Sequence, residues 1–425
     1  MSTNIAILSE HQSQLDYVET KTREINGSVV GLYHNLQLTS HYQPIFSLAH
    51  RRPVGYEALL RATNASQESI PPLEIFQMAK DDSDIVLLDR LCRNIHLRNF
   101  LSQSDNKSWL FLNVNPKVVV RGKHHGPFFA NLLEQYGIPA HRIVVEIVEE
   151  QIHDESLLAE AINYYKEMGC VVAIDDFGAG HSNFDRIWRI APHIVKLDRS
   201  IISQAVSNPK VRRVLPSLVS VLHESGSLSL MEGIETEDEA LLAMDAGIDF
   251  AQGYYFGKPR QDLINPNKTH GELRDLCEKF RVYTKKEVKK YHEELYRYVR
   301  DFRESANRLE AGMELEPACS EFLLHPKTER CYLLNSSGKQ LDANVVSPFR
   351  SILHDPRFEP LSDANDAVWS RRHYFRRALD QPGEVQISRP YLSITGANMC
   401  VTLSISLGSG NDTRVFCCDL DWTES

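Results

Sequence analysis

Residues 143–178 read IVVEIVEEQIHDESLLAEAINYYKEMGCVVAIDDFG, and this stretch decides the fold. Residues 143–147 form a short apolar, β-branched run of the kind that builds a strand covered on both faces. Residues 155–168 change to helical spacing, and residues 170–174 return to a second apolar run. A strand, a helix and a strand in succession predict parallel pairing through a right-handed crossover. The polar residues are placed unusually: Glu146 lies inside the first run, and Asp175 and Asp176 end the second.

The same alternation continues in both directions. Upstream, residues 38–46 and 53–60 read as two strands joined by a turn around 49–53. Helical spacing follows over 73–80 and 85–101, where Leu87, Leu88, Leu91, Ile95 and Phe100 form an apolar stripe. A strand over 109–114 and a helix over 127–136 lead back to residue 143. Downstream come a strand at 193–197, a helix at 211–223, a strand at 229–231, a helix at 237–246 and a last strand at 250–256. Roughly eight strands in ~225 residues fit an α/β fold of the TIM-like (β/α)8 barrel type, which typically takes ~250 residues. A doubly wound open sheet is the alternative. Polar residues recur on almost every strand, which favours the barrel, because an open sheet gathers its ligands at one crevice.

After Pro259 the pattern changes. Residues 272–309 are charged and free of Gly and Pro, with Val288, Tyr291, Leu295, Tyr298, Phe302 and Leu309 at alternating steps of three and four and Ser305 in the gap. That is a short heptad seam, read either as one helix packed on its neighbour or as a signalling helix at a dimer interface. Residues 311–425 read as a small α+β domain, with strands at 321–324, 331–335, 384–388, 399–407 and 413–419 and a helix at 364–379. The domains are therefore placed at 1–35 (lead-in), 36–262 (barrel), 263–310 (connecting helix) and 311–425.

The chain has 425 residues, 42% of them hydrophobic, and a net charge of -10, which argues against a DNA-binding role because phosphate-backbone binding needs a concentrated basic face. No apolar run reaches the ~20 residues that span a bilayer, and the start lacks the order of a signal peptide, so a cytoplasmic location is expected. Eight cysteines occur without zinc spacing; free thiols are expected, and the adjacent Cys417 and Cys418 read as strand packing.

Chemistry is carried by Glu57, Asn113, Glu146, Asp175, Asp176, Lys196, Glu232 and Gln252, each in or at the end of an apolar run. A lone acid there costs several kcal/mol unless paired or bound to a cation. Five acids brought together require cations, and hard oxygen ligands select Mg²⁺, Mn²⁺ or Ca²⁺. Asn113 adds a neutral oxygen. Lys196 would hold an anionic phosphate or orient a water. For one acid, a surface position at a strand end would be the simpler reading; for the whole set it is not.

These residues sit in motifs that resemble the EAL family of cyclic di-GMP phosphodiesterases. The motifs are Gln43-Pro44-Ile45, Glu57-Ala58-Leu59-Leu60-Arg61, Asn113, Glu146-Ile147-Val148-Glu149, Asp175-Asp176-Phe177-Gly178-Ala179-Gly180, Lys196-Leu197-Asp198-Arg199-Ser200, Glu232-Gly233-Ile234-Glu235-Thr236 and Gln252-Gly253-Tyr254-Tyr255. The resemblance covers roughly residues 36–262. It implies hydrolysis of cyclic di-GMP to linear pGpG with two divalent cations, Mg²⁺ or Mn²⁺, activating a water for in-line attack, and it implies inhibition by Ca²⁺. Glu57, Asn113, Glu146 and Asp175 would hold one ion; Asp175, Asp176 and Glu232 would hold the other. Glu57, Lys196 and Glu232 carry the catalytic role. Gln43, Arg61, Asp198 and Gln252 would contact substrate, and Glu149 and Glu235 would position the loop after Asp176. Asn113 is preferred over Asn115, which shares its strand face. A homodimer is expected from the family and the seam.

The chain departs from the pattern at Val148 (usually Thr), at Gly180-His181-Ser182-Asn183 (usually Gly-Tyr-Ser-Ser) and at Met231 (usually Ala). None removes a ligand. They leave a second reading, a cyclic di-GMP receptor without turnover, and a third, a barrel acting on another phosphodiester. No Gly-Gly-Asp-Glu-Phe cyclase signature occurs. The C-terminal domain is similar to PAS-like and Cache-like sensor modules, in which an aromatic and an Arg on a helix close over a small anionic ligand. Trp369, Arg371, Tyr374 and Tyr391 are the corresponding positions here; the alternative is an aromatic core beside a solvated arginine face.

Overall fold

The computed structural model describes residues 15–103, 107–114, 128–148, 155–180, 184–264, 266–349, 364–394 and 398–423. Glu149, Asn115 and the His181–Asn183 stretch lie outside the described residues. The chain divides into two compact units, Met1–Thr284 and Lys285–Ser425.

The first unit contains β1 (Thr22–Ile25), β2 (Ser28–Tyr33), β3 (Leu36–Ser47), β4 (Arg52–Thr63), β5 (Ser69–Ile70), β6 (Trp109–Asn113), β7 (Ile143–Val148), β8 (Val171–Phe177), β9 (Ile194–Leu197), β10 (Leu228–Met231) and β11 (Phe250–Ala251). The sheet runs β3-β11-β10-β9-β8-β7-β6-β4, and β4 pairs back to β3, so eight strands close a barrel. The six pairings from β4–β6 round to β10–β11 are parallel. β3 is antiparallel to both β4 and β11, because a short turn rather than a helix joins β3 to β4. Helices such as Asp82–Leu101, Glu155–Glu167 and Pro209–Glu224 supply the crossovers. The first of these starts where the Asp81 carboxylate accepts the Asp84 amide at 3.0 Å, and it buries Leu88, Leu91, Ile95 and Phe100.

One layer of side chains fills the barrel: Ile45 (β3), Phe111 (β6), Val144 (β7), Ala173 (β8), Ile194 (β9), Leu230 (β10) and Phe250 (β11). β4 contributes Gly55 to it. A Cβ there would lie 2.6 Å from the Phe111 ring, so the missing side chain is the space that Phe111 fills. Alternate residues of a strand share a face, so the next inward position lies two residues further along each parallel strand.

Several boundaries differ from expectation. Residues before 36 are not a plain lead-in, since β1 and β2 pair and β2 extends the sheet at β3. Asn26 and Gly27 both take positive φ (51° and 78°) and Ile25 pairs with Ser28, the two-residue hairpin that Asn-Gly favours. The last barrel strand ends at Ala251 rather than 256. Gly253 lies so close to the 234 backbone that an added Cβ would sit 2.0 Å from the Ile234 carbonyl oxygen, and the chain then turns, Gly257 N donating to Gly253 O at 3.0 Å.

The helix Pro266–Glu310 crosses the unit boundary. In the second unit, β12 (Thr328–Asn335), β13 (Val345–Val346), β14 (Gln386–Ile387), β15 (Tyr391–Leu392), β16 (Met399–Leu407) and β17 (Arg414–Asp421) form an antiparallel sheet in the order β13-β12-β17-β16-β14, with β15 also on β16. Leu295, Tyr298, Phe302 and Leu309 are buried in its core, and Phe302 stacks on Phe416 at 4.4 Å. That half of the heptad seam is committed to its own chain; the side chains of Val288 and Tyr291 lie outside the description. Residues 321–324 are not a strand: Phe322–Leu324 is a 3-10 turn. The expected 364–379 helix begins only at His373 and runs to Asp380, because residues 367–369 bond to the turn at 338–340 instead, Gln340 N donating to Ala367 O and Trp369 N to Gly338 O. Cys417 and Cys418 are buried on β17, and all eight cysteines are free thiols.

Candidate active site

Two residues along from the filling layer, every strand of the barrel presents a polar side chain. Phe111 leads to Asn113, Val144 to Glu146, Ala173 to Asp175, Ile194 to Lys196, Leu230 to Glu232, Phe250 to Gln252 and Gly55 to Glu57. On the antiparallel β3 the count runs backwards, from Ile45 to Gln43. Eight polar positions thus form one ring above the apolar layer, at the carboxyl ends of the parallel strands, where barrel chemistry is sited. Glu57 lies within β4, but β4 pairs with β6 only from Gly55 to Ala58, so it too stands at the end of the barrel proper.

Lys196 is 1% exposed. Its Nζ lies 2.6 Å from Glu146 Oε1, 2.9 Å from Asp175 Oδ1 and 2.6 Å from Glu232 Oε1. Burial would lower the ammonium, but Asp175, Glu146 and Glu232 outweigh it and hold Lys196 well above the ordinary lysine range. Glu57 is fixed by two amides: Asn113 Nδ2 donates to Oε1 at 2.9 Å, and Gln252 Nε2 to Oε2 at 2.6 Å. Asn113 therefore turns its oxygen away from Glu57.

Asp175 and Asp176 are consecutive, yet both line the cleft. The register between β8 and β9 slips between Ile174 and Phe177, and Asp176 takes φ 58°. A bulge of this kind re-aims a side chain that would otherwise face outward. The Asp176 amide donates to Asp175 Oδ1 at 3.1 Å. Carboxylate oxygens of Asp175, Asp176 and Glu232 lie within 4.8 Å of one another.

Charge is far from balanced here. Glu57, Glu146, Asp175, Asp176, Glu232 and Glu235 face Lys196 and Arg199. Burial, then the neighbouring Glu57, pushes Glu146 well above the usual carboxylate range. Burial and Asp175 push Asp176 up to about 6, and burial pushes Glu232 up to about 8 against the pull of Lys196. Glu146 Oε2 and Gln252 Oε1 are buried with no hydrogen-bond partner. Orphaned buried oxygens beside crowded acids fit hard divalent cations, which would supply the missing positive charge and bonds.

The ring floors a cleft of about 420 Å³ lined by Gln43, Glu57, Asp176, Arg199, Glu235 and Tyr254, among others. Gln43 Nε2 donates to Gly257 O at 3.3 Å. Glu235 pairs with Arg199 at 2.8 Å. Arg61 is half-buried, donates to the Leu60 carbonyl at 2.8 Å and does not line this cleft. Asp198 caps the helix Arg199–Ser207 by accepting the Ser200 amide at 2.9 Å. Sequence reasoning missed Arg199 and Tyr254 as lining residues. Arg199 lies three residues after Lys196 in the same motif, at the start of the helix Arg199–Ser207, and its side chain passes over Gly233, where a Cβ would come within 2.5 Å of it. Tyr254, 54% exposed at the lip, stands in the Gln252-Gly253-Tyr254-Tyr255 motif, two residues after Gln252.

The comparisons agree with this geometry. Residues 28–259 match the family model of the EAL domain. The EAL-domain containing protein YkuI of Bacillus subtilis is 26% identical over 344 residues, covering 79% of this chain and 82% of that protein. The cyclic di-GMP phosphodiesterase RocR of Pseudomonas aeruginosa is 26% identical over 231 residues, covering 53% of this chain and 58% of that one. The crystal structure of YkuI, in complex with substrate c-di-GMP and calcium, superposes with a TM-score of 0.76 at 25% identity over 91% of this chain and 97% of that one. With more than half of its length matched and its barrel built as described, this chain belongs to the EAL domain family.

Proposed function

We propose that the barrel hydrolyses cyclic di-GMP to linear pGpG. The observation that carries this reading is the acid ring around Lys196, with Asp175, Asp176 and Glu232 oxygens within 4.8 Å. An anionic phosphodiester would be repelled by it unless cations intervene. Glu57, Asn113, Glu146 and Asp175 would hold one divalent ion, and Asp175, Asp176 and Glu232 the other, Mg²⁺ or Mn²⁺ by their oxygen-only ligands. Bound there, the pair would polarise the phosphodiester and acidify water. Asn113 and Gln252 hold the Glu57 carboxylate in one orientation. Lys196 fixes Glu146, Asp175 and Glu232 about a common point and keeps a positive charge beside the reacting phosphate. Gln43, Gln252 and Arg199 form the wall against which the nucleotide would rest, Arg199 serving the guanidinium role that the motif suggests for Arg61. Glu235 holds Arg199 in place.

The barrel over 36–262 is the proposed catalytic part, and 311–425 the regulatory part, in a homodimer. A receptor role is the second reading. It is favoured by the relative that spans both units, which was solved with c-di-GMP and calcium bound. Incubation with cyclic di-GMP and Mg²⁺ or Mn²⁺, followed by chromatography, separates the two. The enzyme reading expects pGpG, lost in Glu57→Ala; bound but uncleaved nucleotide would establish the receptor. No helix among the described residues is long and apolar enough to cross a membrane.

A further inference from the structure

The turn that follows the last barrel strand is anchored at nearly every residue. Gly253 is pressed against Ile234, and Tyr255 N donates to Ile234 O at 3.0 Å. Phe256 is buried and stacks on Phe46 at 5.4 Å. Gly257 packs against Pro44, where an added Cβ would lie 2.7 Å from the ring, and its carbonyl accepts Gln43 Nε2.

Tyr254 instead turns outward and lines the cleft above the acid ring. Lys258 Nζ lies over its ring, 5.3 Å from the centroid. Among the described residues no other ring packs on Tyr254, no hydrogen bond holds its hydroxyl, and no carboxylate pairs with Lys258. An aromatic face and an unpaired cation thus stand at the mouth of the cleft, on backbone that its neighbours hold fixed. The metal-binding ring needs neither group. A similar pairing occurs at Tyr17 and Lys21, with the amino group 5.4 Å from the ring, but those two residues do not line the cleft.

We propose that Tyr254 and Lys258 form the element that reads a base of the nucleotide: Tyr254 stacks on one purine ring, and Lys258 donates to the O6 and N7 edge of guanine. This rests on the barrel being a cyclic-dinucleotide site, whether or not the nucleotide is turned over. A tyrosine ring has only two torsions to fix, so on an anchored turn it loses little freedom when a base settles on it. Stacking alone accepts any base, because every base has a π face. Selection therefore falls to the lysine. Its ammonium offers three donors and no acceptor. Guanine presents two acceptors, O6 and N7, on one edge, whereas adenine replaces the first by an amino donor. The four-carbon lysine stem is flexible enough to carry the ammonium from the ring face to the edge of a base lying on it.

The test is calorimetric titration of the full-length protein in Ca²⁺ with cyclic di-GMP and, separately, with cyclic di-AMP. Wild type is expected to prefer cyclic di-GMP. Tyr254→Ala should weaken cyclic di-GMP binding ~5–150-fold, the range for one lost base stack. Tyr254→Phe should keep the wild-type affinity, since the ring and not the hydroxyl carries the contact. Lys258→Gln should cut the preference for cyclic di-GMP over cyclic di-AMP by a similar ~5–150-fold. Tyr17→Ala should change nothing. Both residues at the lip are exposed, so unchanged thermal unfolding is expected and would show that the variants fold. Wild-type affinity in folded Tyr254→Ala, or an unchanged preference in Lys258→Gln, would overturn the base-reading role while leaving the barrel a nucleotide site. Failure of wild type to bind either nucleotide would overturn both.

Discussion

Replacing Lys196 with Met removes the buried cation on which three carboxylates converge at 2.6, 2.9 and 2.6 Å. Breaking a buried ion pair from one side costs about 3–5 kcal/mol, because the remaining charge is left uncompensated. Part of that cost is relieved here. Glu146 and Glu232 are already pushed upward by burial, so in the variant they take up protons instead of staying charged. The low end, about 3 kcal/mol, is therefore expected. A unit the size of Met1–Thr284 has an unfolding entropy of about 0.6 kcal/mol per degree, so the barrel transition should fall by about 5 °C. In wild type, Mn²⁺ at a hundred times its dissociation constant should add about 2.7 kcal/mol and raise melting by a similar amount. The variant keeps its ligands, so Mn²⁺ should raise its melting temperature at least as much. Thermal unfolding of both proteins in EDTA and in Mn²⁺ makes the comparison. A variant melting within about 1 °C of wild type in EDTA, or a wild type indifferent to Mn²⁺, would refute the reasoning.

Other outcomes follow from single positions. His96, 5% exposed and bonded to Ser40 Oγ at 2.8 Å, is pushed down to about 3 by burial, while the unfolded chain holds it near 6.5. The unfolded state then binds more protons as pH falls, so stability should drop below pH ~6.5 by about 1.4 kcal/mol per unit; denaturant titrations from pH 7 to 5 should show a slope that flattens in His96→Asn, and an unchanged slope would count against it. Phe302→Ala removes the ring stacked on Phe416 and should cost the C-terminal unit about 3–5 kcal/mol, read as earlier loss of near-ultraviolet dichroism. Gly253→Ala places a methyl 2.0 Å from the Ile234 carbonyl oxygen; about 3 kcal/mol of overpacking is expected, with weakened nucleotide binding because Gln252 is displaced, and a wild-type melting temperature would contradict the contact.

The barrel was legible because its strands are buried on both faces and its polar residues interrupt them in a regular way. Each site residue stands two positions from an apolar one, from Val144 and Glu146 to Phe250 and Gln252; that spacing is visible in the chain, although only the closed sheet shows that the eight positions meet. Three features were less legible for physical reasons. The bulge that turns Asp176 inward depends on φ 58° at a non-glycine residue, which no local pattern announces. The strand expected over 250–256 stopped early because the backbone at Gly253 is pressed against Ile234, a contact between residues far apart in the chain. The helix expected from 364 lost its first turns to backbone bonds with residues 338–340, and this tertiary pairing outweighed local spacing. The same shift puts Arg372 rather than Arg371 beside Trp369 and Tyr391. The Asn26-Gly27 hairpin carried a turn signal in its residues, but the reading of 1–35 as a lead-in passed over it.

The central claim is that the acid ring around Lys196 cleaves one phosphodiester of cyclic di-GMP with water. A single-turnover reaction with excess full-length protein, Mn²⁺ and isotopically heavy water, analysed by mass spectrometry, tests it most directly. The account predicts linear pGpG carrying one heavy oxygen on its new terminal phosphate, and none from Glu57→Ala. Recovery of intact cyclic di-GMP from a protein that demonstrably binds it would contradict the claim and leave the barrel as a receptor.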